Sequence, residues 1–179
     1  MSSTAAAIKK KENIAEYIIY MYQTEDLILN YKLNLDTIFE YVIKHMSQDE
    51  QVLKTQLLWY ADLIEQMSNE DIVKSKKRLA STQEYVNMLT RLHDGLLITE
   101  KKYQLIYSKA EKDIQHHITF SKNTILNPVQ ICLNGIYGML LLKLNGKTVS
   151  DEQQSTLVNF GNILEYLSEA YKKEFPQSE

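Results

Sequence analysis

Cysteine is almost absent from this chain of 179 residues, which contains only Cys132. A single cysteine excludes an internal disulfide framework and any zinc site built from a cysteine cluster. Because Cys132 lies in an apolar stretch with no evident neighbouring base, a small buried side chain explains it better than a nucleophile. A chain of this length can bury enough surface to fold without such cross-links.

Glycine and proline are also scarce, at five and two residues, and an all-β protein would need more turn formers. Only two arginines occur, Arg78 and Arg91, and the net charge is −3, so nucleic acid is not an expected partner. The longest apolar run, residues 136–142, is much shorter than the roughly 20 residues of a membrane span. The first residues also lack the order of a signal peptide. We therefore expect no membrane association and a cytoplasmic location.

Helix formers and capping signals predict an all-α, single-domain bundle of six or seven helices. Capping boxes occur at residues 47–50 and 150–153, and Asn127-Pro128 combines an N-cap with proline at the first helical position. We expect the bundle to occupy residues 8–175, after a disordered N-terminus of residues 1–7 and before a tail of residues 176–179. The predicted helical segments are about 8–31, 34–46, 47–67, 68–95, 100–121, 127–144 and 150–175.

The sixth segment, residues 127–144, has apolar residues on nearly every side. This pattern is typical of a central helix, so we predict that it is the most buried element, with Leu141 in the core. It contains Gly135 and Gly138, and Gly161 lies within the last helix, although glycine in a helix costs about 1 kcal/mol against alanine. A close crossing of the two helices at these glycines is the structural explanation. The alternative is a ligand that approaches bare backbone.

Four polar residues lie within apolar helical patterns: Glu25, His93, His117 and Asn134. If they met in space, they could hold a metal or transfer a proton. Di-iron bundles use two Glu-x-x-His pairs and two more glutamates, whereas the nearest match here is Asp113-x-x-His116. No metal and no cofactor is therefore expected, and structural hydrogen bonding is the simpler interpretation.

Tyrosine is frequent, with 12 residues against four phenylalanines and one tryptophan. Its ring packs against apolar groups while its hydroxyl can stay wet, which suits helix edges and protein interfaces. Half-buried packing explains most of these residues. The alternative is a partner surface, and Tyr20 and Tyr31 would then contribute to a homodimer contact on the first helix.

Two stretches resemble a known family: ENIAEYIIYMYQTEDLI at residues 12–28 and CLNGIYGMLLLKL at residues 132–144. The family is a domain-of-unknown-function family of small, all-helical cytoplasmic proteins of Bacteroidetes-type bacteria. Two residues depart from its pattern: Tyr22, where the family more often has Trp, and Pro128, where it has an acidic residue. The resemblance covers nearly the whole chain and implies a helical fold and a cytoplasmic setting, without an activity.

On function, the sequence favours a non-enzymatic interaction or scaffold protein that binds itself or another protein. The alternative is an enzyme or small-ligand carrier that uses polar residues in the bundle interior. An enclosed pocket lined by Glu25, His93 or His117 would favour the alternative. A flat, tyrosine-rich patch would favour the interaction protein.

Overall fold

The computed structural model describes residues 4–176, and in that range the chain is all-α, as predicted, with nine α-helices, one 3₁₀ turn and no strand. Asn127 caps its helix with Pro128 at the first position, and the capping box at Ser150 forms as predicted. The helices are α1 (Ala5–Glu12), α2 (Ile14–Asn30), α3 (Leu35–Tyr41), α4 (Glu50–Asn69), α5 (Ile72–Ser75), α6 (Ala80–Thr99), α7 (Lys101–Phe120), α8 (Pro128–Leu144) and α9 (Asp151–Glu174), with the 3₁₀ turn at Ile43–His45.

The helix count exceeds the predicted six or seven because two predicted segments are interrupted. Asn13 has φ −153°, and its side chain accepts hydrogen bonds from two backbone N–H groups of the next turn, so it separates α1 from α2. The predicted segment of residues 68–95 is interrupted after α5, where Lys76 has a positive φ of 53°. Gly95 does not end a helix, since α6 continues to Thr99.

Two N-caps and the N-terminal boundary also differ from the prediction. Asp49 rather than Ser47 caps α4, and Glu100, the first residue of the predicted fifth segment, lies outside the helix and caps α7. The first helix begins inside the segment predicted to be disordered, because Thr4 caps it and Ala6 is buried. Residues 1–3 and 177–179 lie outside the described residues, and with them most of the predicted tail.

The buried side chains form two clusters that share α2. The larger cluster joins α2 to α6, α7, α8 and α9, and the smaller one joins α2 to α3, α4 and α5. Ile18 and Tyr22 belong to the larger cluster, whereas Met21 and Ile28 belong to the smaller. Tyr17 packs against both. Helix α2 is therefore buried from two sides and connects the two halves of the core.

Helix α8 is deeply buried only in its first half. Val129, Cys132 and Leu133 are fully buried, and burial raises the pKa of the Cys132 thiol. Leu141 is 38% exposed and Leu144 is 68% exposed. The placement of Leu141 in the core is therefore wrong. An all-round apolar pattern shows that a helix lacks a polar face, but it does not show how much of its length neighbours cover.

The three helix glycines differ in the space around them. A Cβ on Gly135 would lie 2.8 Å from Cδ2 of Phe160, whereas a Cβ on Gly138 or Gly161 would meet no heavy atom within 4 Å. The predicted crossing of Gly135 or Gly138 against Gly161 stays a prediction. The close approach is that of the Phe160 ring on α9 to the backbone of α8.

We predict that Gly135→Ala destabilises the fold, whereas Gly138→Ala and Gly161→Ala stabilise it. The Phe160 ring is fully buried, so the added methyl group costs about 1–3 kcal/mol of overpacking. That cost exceeds the gain in helix propensity of about 1 kcal/mol on replacing glycine with alanine. At Gly138 and Gly161 only this gain applies, because the added methyl group meets no neighbouring atom. Urea unfolding of the three single variants measures these differences. A Gly135→Ala protein as stable as the wild type would contradict the described packing.

Candidate functional site

Glu25 is buried between α2 and the start of α6, where it is 1% exposed. The Thr82 hydroxyl donates to its Oε1 at 2.7 Å, and the backbone N–H of Leu79 donates to its Oε2 at 3.4 Å. Arg78 Nη1 lies 3.6 Å from Oε2. Burial raises the pKa of Glu25, and the two hydrogen bonds and the charge of Arg78 oppose that rise.

Arg78 links this carboxylate to a second one and to α8. Its guanidinium binds Asp26, with Nη1 2.6 Å from Oδ1 and Nη2 3.4 Å from Oδ2. It also lies over the Tyr22 ring, 4.4 Å from the centroid. Tyr137 of α8 donates its hydroxyl hydrogen to Asp26 as well. These polar groups find partners within the protein, which is the arrangement of a structural network.

His93 belongs to a separate buried pair. Its Nδ1 lies 2.6 Å from the hydroxyl of Tyr103 on α7. Burial lowers the pKa of His93 and raises that of Tyr103, so a neutral imidazole and a neutral hydroxyl share this hydrogen bond, and the imidazole tautomer sets which of them donates. His93 follows Thr82 by eleven residues on α6, a distance of about 16 Å along the axis. Glu25 and His93 therefore do not share one site.

The other two predicted residues, His117 and Asn134, line a surface cleft among α7, α8 and the first half of α9. Its volume is about 730 Å³, within the range of roughly 300–1,000 Å³ found for small-molecule sites. The buried residues of its lining are apolar, namely Ile131, Leu157 and Phe160. The four predicted polar residues are thus divided between the interior and this cleft.

One wall of the cleft combines an exposed imidazole ring, packed on a buried phenylalanine, with a carboxylate. The ring of His117 lies against that of Phe160, with 5.7 Å between centroids. One helical turn away, the half-buried Asp113 accepts a hydrogen bond of 2.8 Å from the Thr156 hydroxyl on α9. Within residues 4–176, no Lys, Arg or His nitrogen lies within 4.0 Å of the Asp113 carboxylate.

Bare backbone forms part of the opposite wall. Gly138 lines the cleft, and a side chain there would extend into open space. Gly135 also lines it, beneath the Phe160 ring. Gly161 has the same free surroundings as Gly138 without lining the cleft. Gly138 therefore leaves room for the alternative explanation of the helix glycines, a ligand that approaches bare backbone, whereas Gly161 lies outside the cleft lining.

The sequence patterns missed Thr156 and Phe160, and they singled out Asp113 only as a weak match to a metal motif. Asp113 and His116 both line the cleft. However, among residues 4–176 no three His, Cys, Asp or Glu side chains are close enough together to hold a metal ion. Asp113 and His117 are four residues apart, so they lie on one face of α7. This spacing is the sequence signal that could have grouped the two residues.

The two tyrosines predicted for an interface pack within the protein. Tyr20 stacks on Trp59 of α4 with 6.1 Å between ring centroids, and Tyr31 stacks on Tyr41 of α3 at 6.4 Å. Both are half-buried. Of the 12 tyrosines, Tyr41 alone is exposed, so packing in this chain accounts for most of the excess.

These features define the class of protein: an all-α bundle with internally paired polar groups and an apolar cleft at its surface. The chain belongs to the family described as Domain of unknown function (DUF4924), whose model matches residues 4–177. No curated protein and no solved structure matches the chain. In the part of the chain that the structure describes, no helix combines the length and apolar character needed to cross a membrane.

We predict that Glu25→Gln gains stability relative to the wild type as the pH rises. Burial raises the folded-state pKa of Glu25 above that of the unfolded chain. The protonated carboxyl therefore contributes stability that is fully present below the unfolded pKa and lost as the pH rises through the folded pKa. Glutamine keeps an acceptor for the Thr82 hydroxyl and carries no charge.

Denaturant unfolding between about pH 4 and pH 8 measures this effect. The difference in free energy of unfolding between the variant and the wild type should grow with pH. Glu65→Gln, at an exposed position on α4, is the control. A difference that stays constant across the range would show that Glu25 titrates alike in the folded and unfolded chains.

Proposed function

We propose that this protein is a non-enzymatic carrier that binds a small ligand in the cleft among α7, α8 and α9. One observation carries the proposal: a cleft of about 730 Å³ with an apolar buried lining and polar groups on its walls. Small-molecule sites have this composition, because apolar surface supplies affinity and a few polar groups fix orientation. This reverses the order in which the sequence ranked its two candidate functions.

The arrangement of titratable groups favours a carrier over an enzyme. A buried carboxyl, imidazole or thiol with a shifted pKa can act as a general acid or base only if it has access to substrate. Glu25, His93 and Cys132 have shifted pKa values, but none of them lines the cleft. Glu25 and His93 are hydrogen-bonded to other side chains of the bundle.

We retain the cytoplasm as the proposed location.

We predict that Gly138→Leu blocks ligand binding without loss of the fold. The leucine side chain would occupy the cleft, since a Cβ at this position meets no heavy atom within 4 Å. Gly161→Leu is the matched control, because that position has equally free surroundings outside the cleft lining. The probe is N-phenyl-1-naphthylamine, an uncharged apolar dye whose fluorescence rises in apolar surroundings.

The wild type and Gly161→Leu should bind the dye alike, and Gly138→Leu should bind it at least about tenfold more weakly, a difference of 1.4 kcal/mol. Thermal melts of all three proteins verify the fold. Equal binding by the two variants would show that the dye binds elsewhere.

An interaction or scaffold protein is the second candidate, and the exposed end of α8 favours it. Leu141 and Leu144 are exposed there, and Phe120, which also lines the cleft, is 81% exposed. A helix that is apolar on all sides is normally covered along its length. A second copy of the chain would cover this end, so the contact would lie here rather than at Tyr20 and Tyr31.

If α8 forms a homodimer contact, light scattering should give about twice the monomer mass of 20.9 kDa. Leu144→Glu should then return the protein to the monomer, because an interface core does not accommodate an unpaired charge. Val158→Glu, at an exposed apolar position of α9, is the control. Tyr31→Ser tests the surface that the sequence predicted. A monomer mass across a wide dilution range would exclude both contacts.

A further inference from the structure

A second, smaller pocket lies between α1, the start of α2 and the last turns of α9, and it shares no lining residue with the cleft. Its volume is about 210 Å³. Lysine and glutamate side chains are charged at neutral pH. Three ammonium groups and one carboxylate, those of Lys10, Lys11, Lys172 and Glu12, therefore give its lining a net charge of +2. The whole chain, by contrast, has a net charge of −3.

Lys10 is the most enclosed of these three cations, since it is half-buried while Lys11 and Lys172 are exposed. Its Nζ lies 4.8 Å from the centroid of the Tyr85 ring and 5.9 Å from that of Tyr17. Within residues 4–176, no carboxylate oxygen lies within 4.0 Å of any of the three ammonium nitrogens. The aromatic rings thus hold the Lys10 cation beside the pocket without neutralising it.

Tyr171 provides an independent indication of a ligand. It lines the pocket and is only 7% exposed, yet its hydroxyl has no hydrogen-bond partner among residues 4–176. A buried tyrosine hydroxyl usually finds a partner. Ser168, the other hydroxyl of the lining, is already bonded, because it accepts from the N–H of Ala15 and donates to Asn13. The Tyr171 ring also packs against Tyr85, so its hydroxyl and the Lys10 ammonium belong to one aromatic cluster.

The N-terminus of α2 adds to the positive potential. Ile14, the first residue of this 17-residue helix, lines the pocket. The next two N–H groups, those of Ala15 and Glu16, already donate to Asn13. The helix therefore contributes the positive end of its dipole rather than direct hydrogen bonds, and this end favours a bound anion.

We propose that this pocket binds the phosphate group of an organic phosphate monoester. The phosphate accepts hydrogen bonds from the three lysines and from the Tyr171 hydroxyl, and the exposed Phe175 offers apolar surface to the organic part. A phosphate monoester carries a charge of about −1.5 to −2 at pH 7 and has three strong acceptor oxygens. This charge matches that of the lining, whereas a carboxylate would compensate only half of it. The site is separate from the cleft, so the inference goes beyond the proposed carrier function.

Three probes with the same ring test the charge preference: phenyl phosphate, benzoate and benzyl alcohol. Titration of the full chain, followed by NMR chemical shifts, gives a dissociation constant for each probe. Phenyl phosphate should bind at least about tenfold more tightly than benzyl alcohol, with benzoate between them, because hydrogen bonds between two charged groups are the strong ones. Shifts should concentrate at residues 9–14 and 168–176. Raising NaCl from about 20 mM to about 200 mM should weaken only the binding of the two anions.

Tyr171→Phe is the sharpest variant, because it removes one hydroxyl and keeps the ring. It should weaken phenyl phosphate binding about twofold to tenfold, the worth of one hydrogen bond. Its thermal stability should equal that of the wild type, since the hydroxyl has no partner among residues 4–176.

Lys10→Gln should weaken phenyl phosphate binding at least about tenfold, because it removes the enclosed charge. Lys173→Gln is the matched control: this exposed lysine follows Lys172 on α9 and does not line the pocket. It should leave all three affinities as in the wild type. Thermal melts check that each variant is folded.

Phosphate monoesters occur both in soluble compounds and as lipid headgroups. Sedimentation with phosphatidylcholine vesicles, with and without phosphatidate, distinguishes the two sources. Cosedimentation that requires phosphatidate and is lost in Lys10→Gln would assign the site to a lipid headgroup. Binding of phenyl phosphate without cosedimentation would assign it to a soluble compound.

Equal affinity of the wild type for phenyl phosphate and benzyl alcohol, without cosedimentation, would overturn the proposal. So would phosphate binding that is undiminished in both Tyr171→Phe and Lys10→Gln, or that falls as much in Lys173→Gln as in Lys10→Gln. None of these outcomes affects the binding of the naphthylamine dye in the cleft, so the carrier function stands or falls separately.

Discussion

The guanidinium of Arg78 offsets part of the cost of burying Glu25, beside the hydrogen bond from Thr82, and ties three parts of the bundle together. Arg78 lies in the short connection between α5 and α6, binds Asp26 on α2 and lies 3.6 Å from Glu25. Tyr137 brings α8 to the same Asp26 carboxylate. A buried carboxylate without such a partner would be strongly destabilising. Because α2 is packed on both sides, this network also fixes how the two apolar clusters sit against each other.

The cleft depends on a different contact, that of Phe160 with bare backbone at Gly135. Because the ring lies directly against α8, it forms a buried apolar surface between that helix and α7. The hydrogen bond from Thr156 to Asp113 then holds α9 to α7 beside the opening. The core and the cleft therefore use separate residues. Changes to the cleft lining can alter binding while the network at Arg78 continues to support the fold.

Much of the local structure was predictable because its causes are local. The cap at Asn127, the capping box at Ser150 and the inward direction of Glu25 follow from residues within one or two turns. The break at Asn13 was not predicted, because the sequence pattern does not distinguish an asparagine that caps a helix from an exposed asparagine within a helix. The left-handed backbone conformation of Lys76 was not predicted either, because nothing in a lysine side chain indicates a positive φ.

The sequence by itself determined the helical class, the ends of α7, α8 and α9 and the identity of His117, Asn134, Gly135 and Gly138 as unusual residues. Only the tertiary structure decided which of them lie together. Asp113 meets Thr156 across 43 residues, and Arg78 meets Asp26 across 52. Helical periodicity gives the face on which a side chain lies, but not the helix that it meets. The exposed end of α8 has the same cause, since the extent of a neighbouring helix is a property of packing and not of the apolar pattern itself.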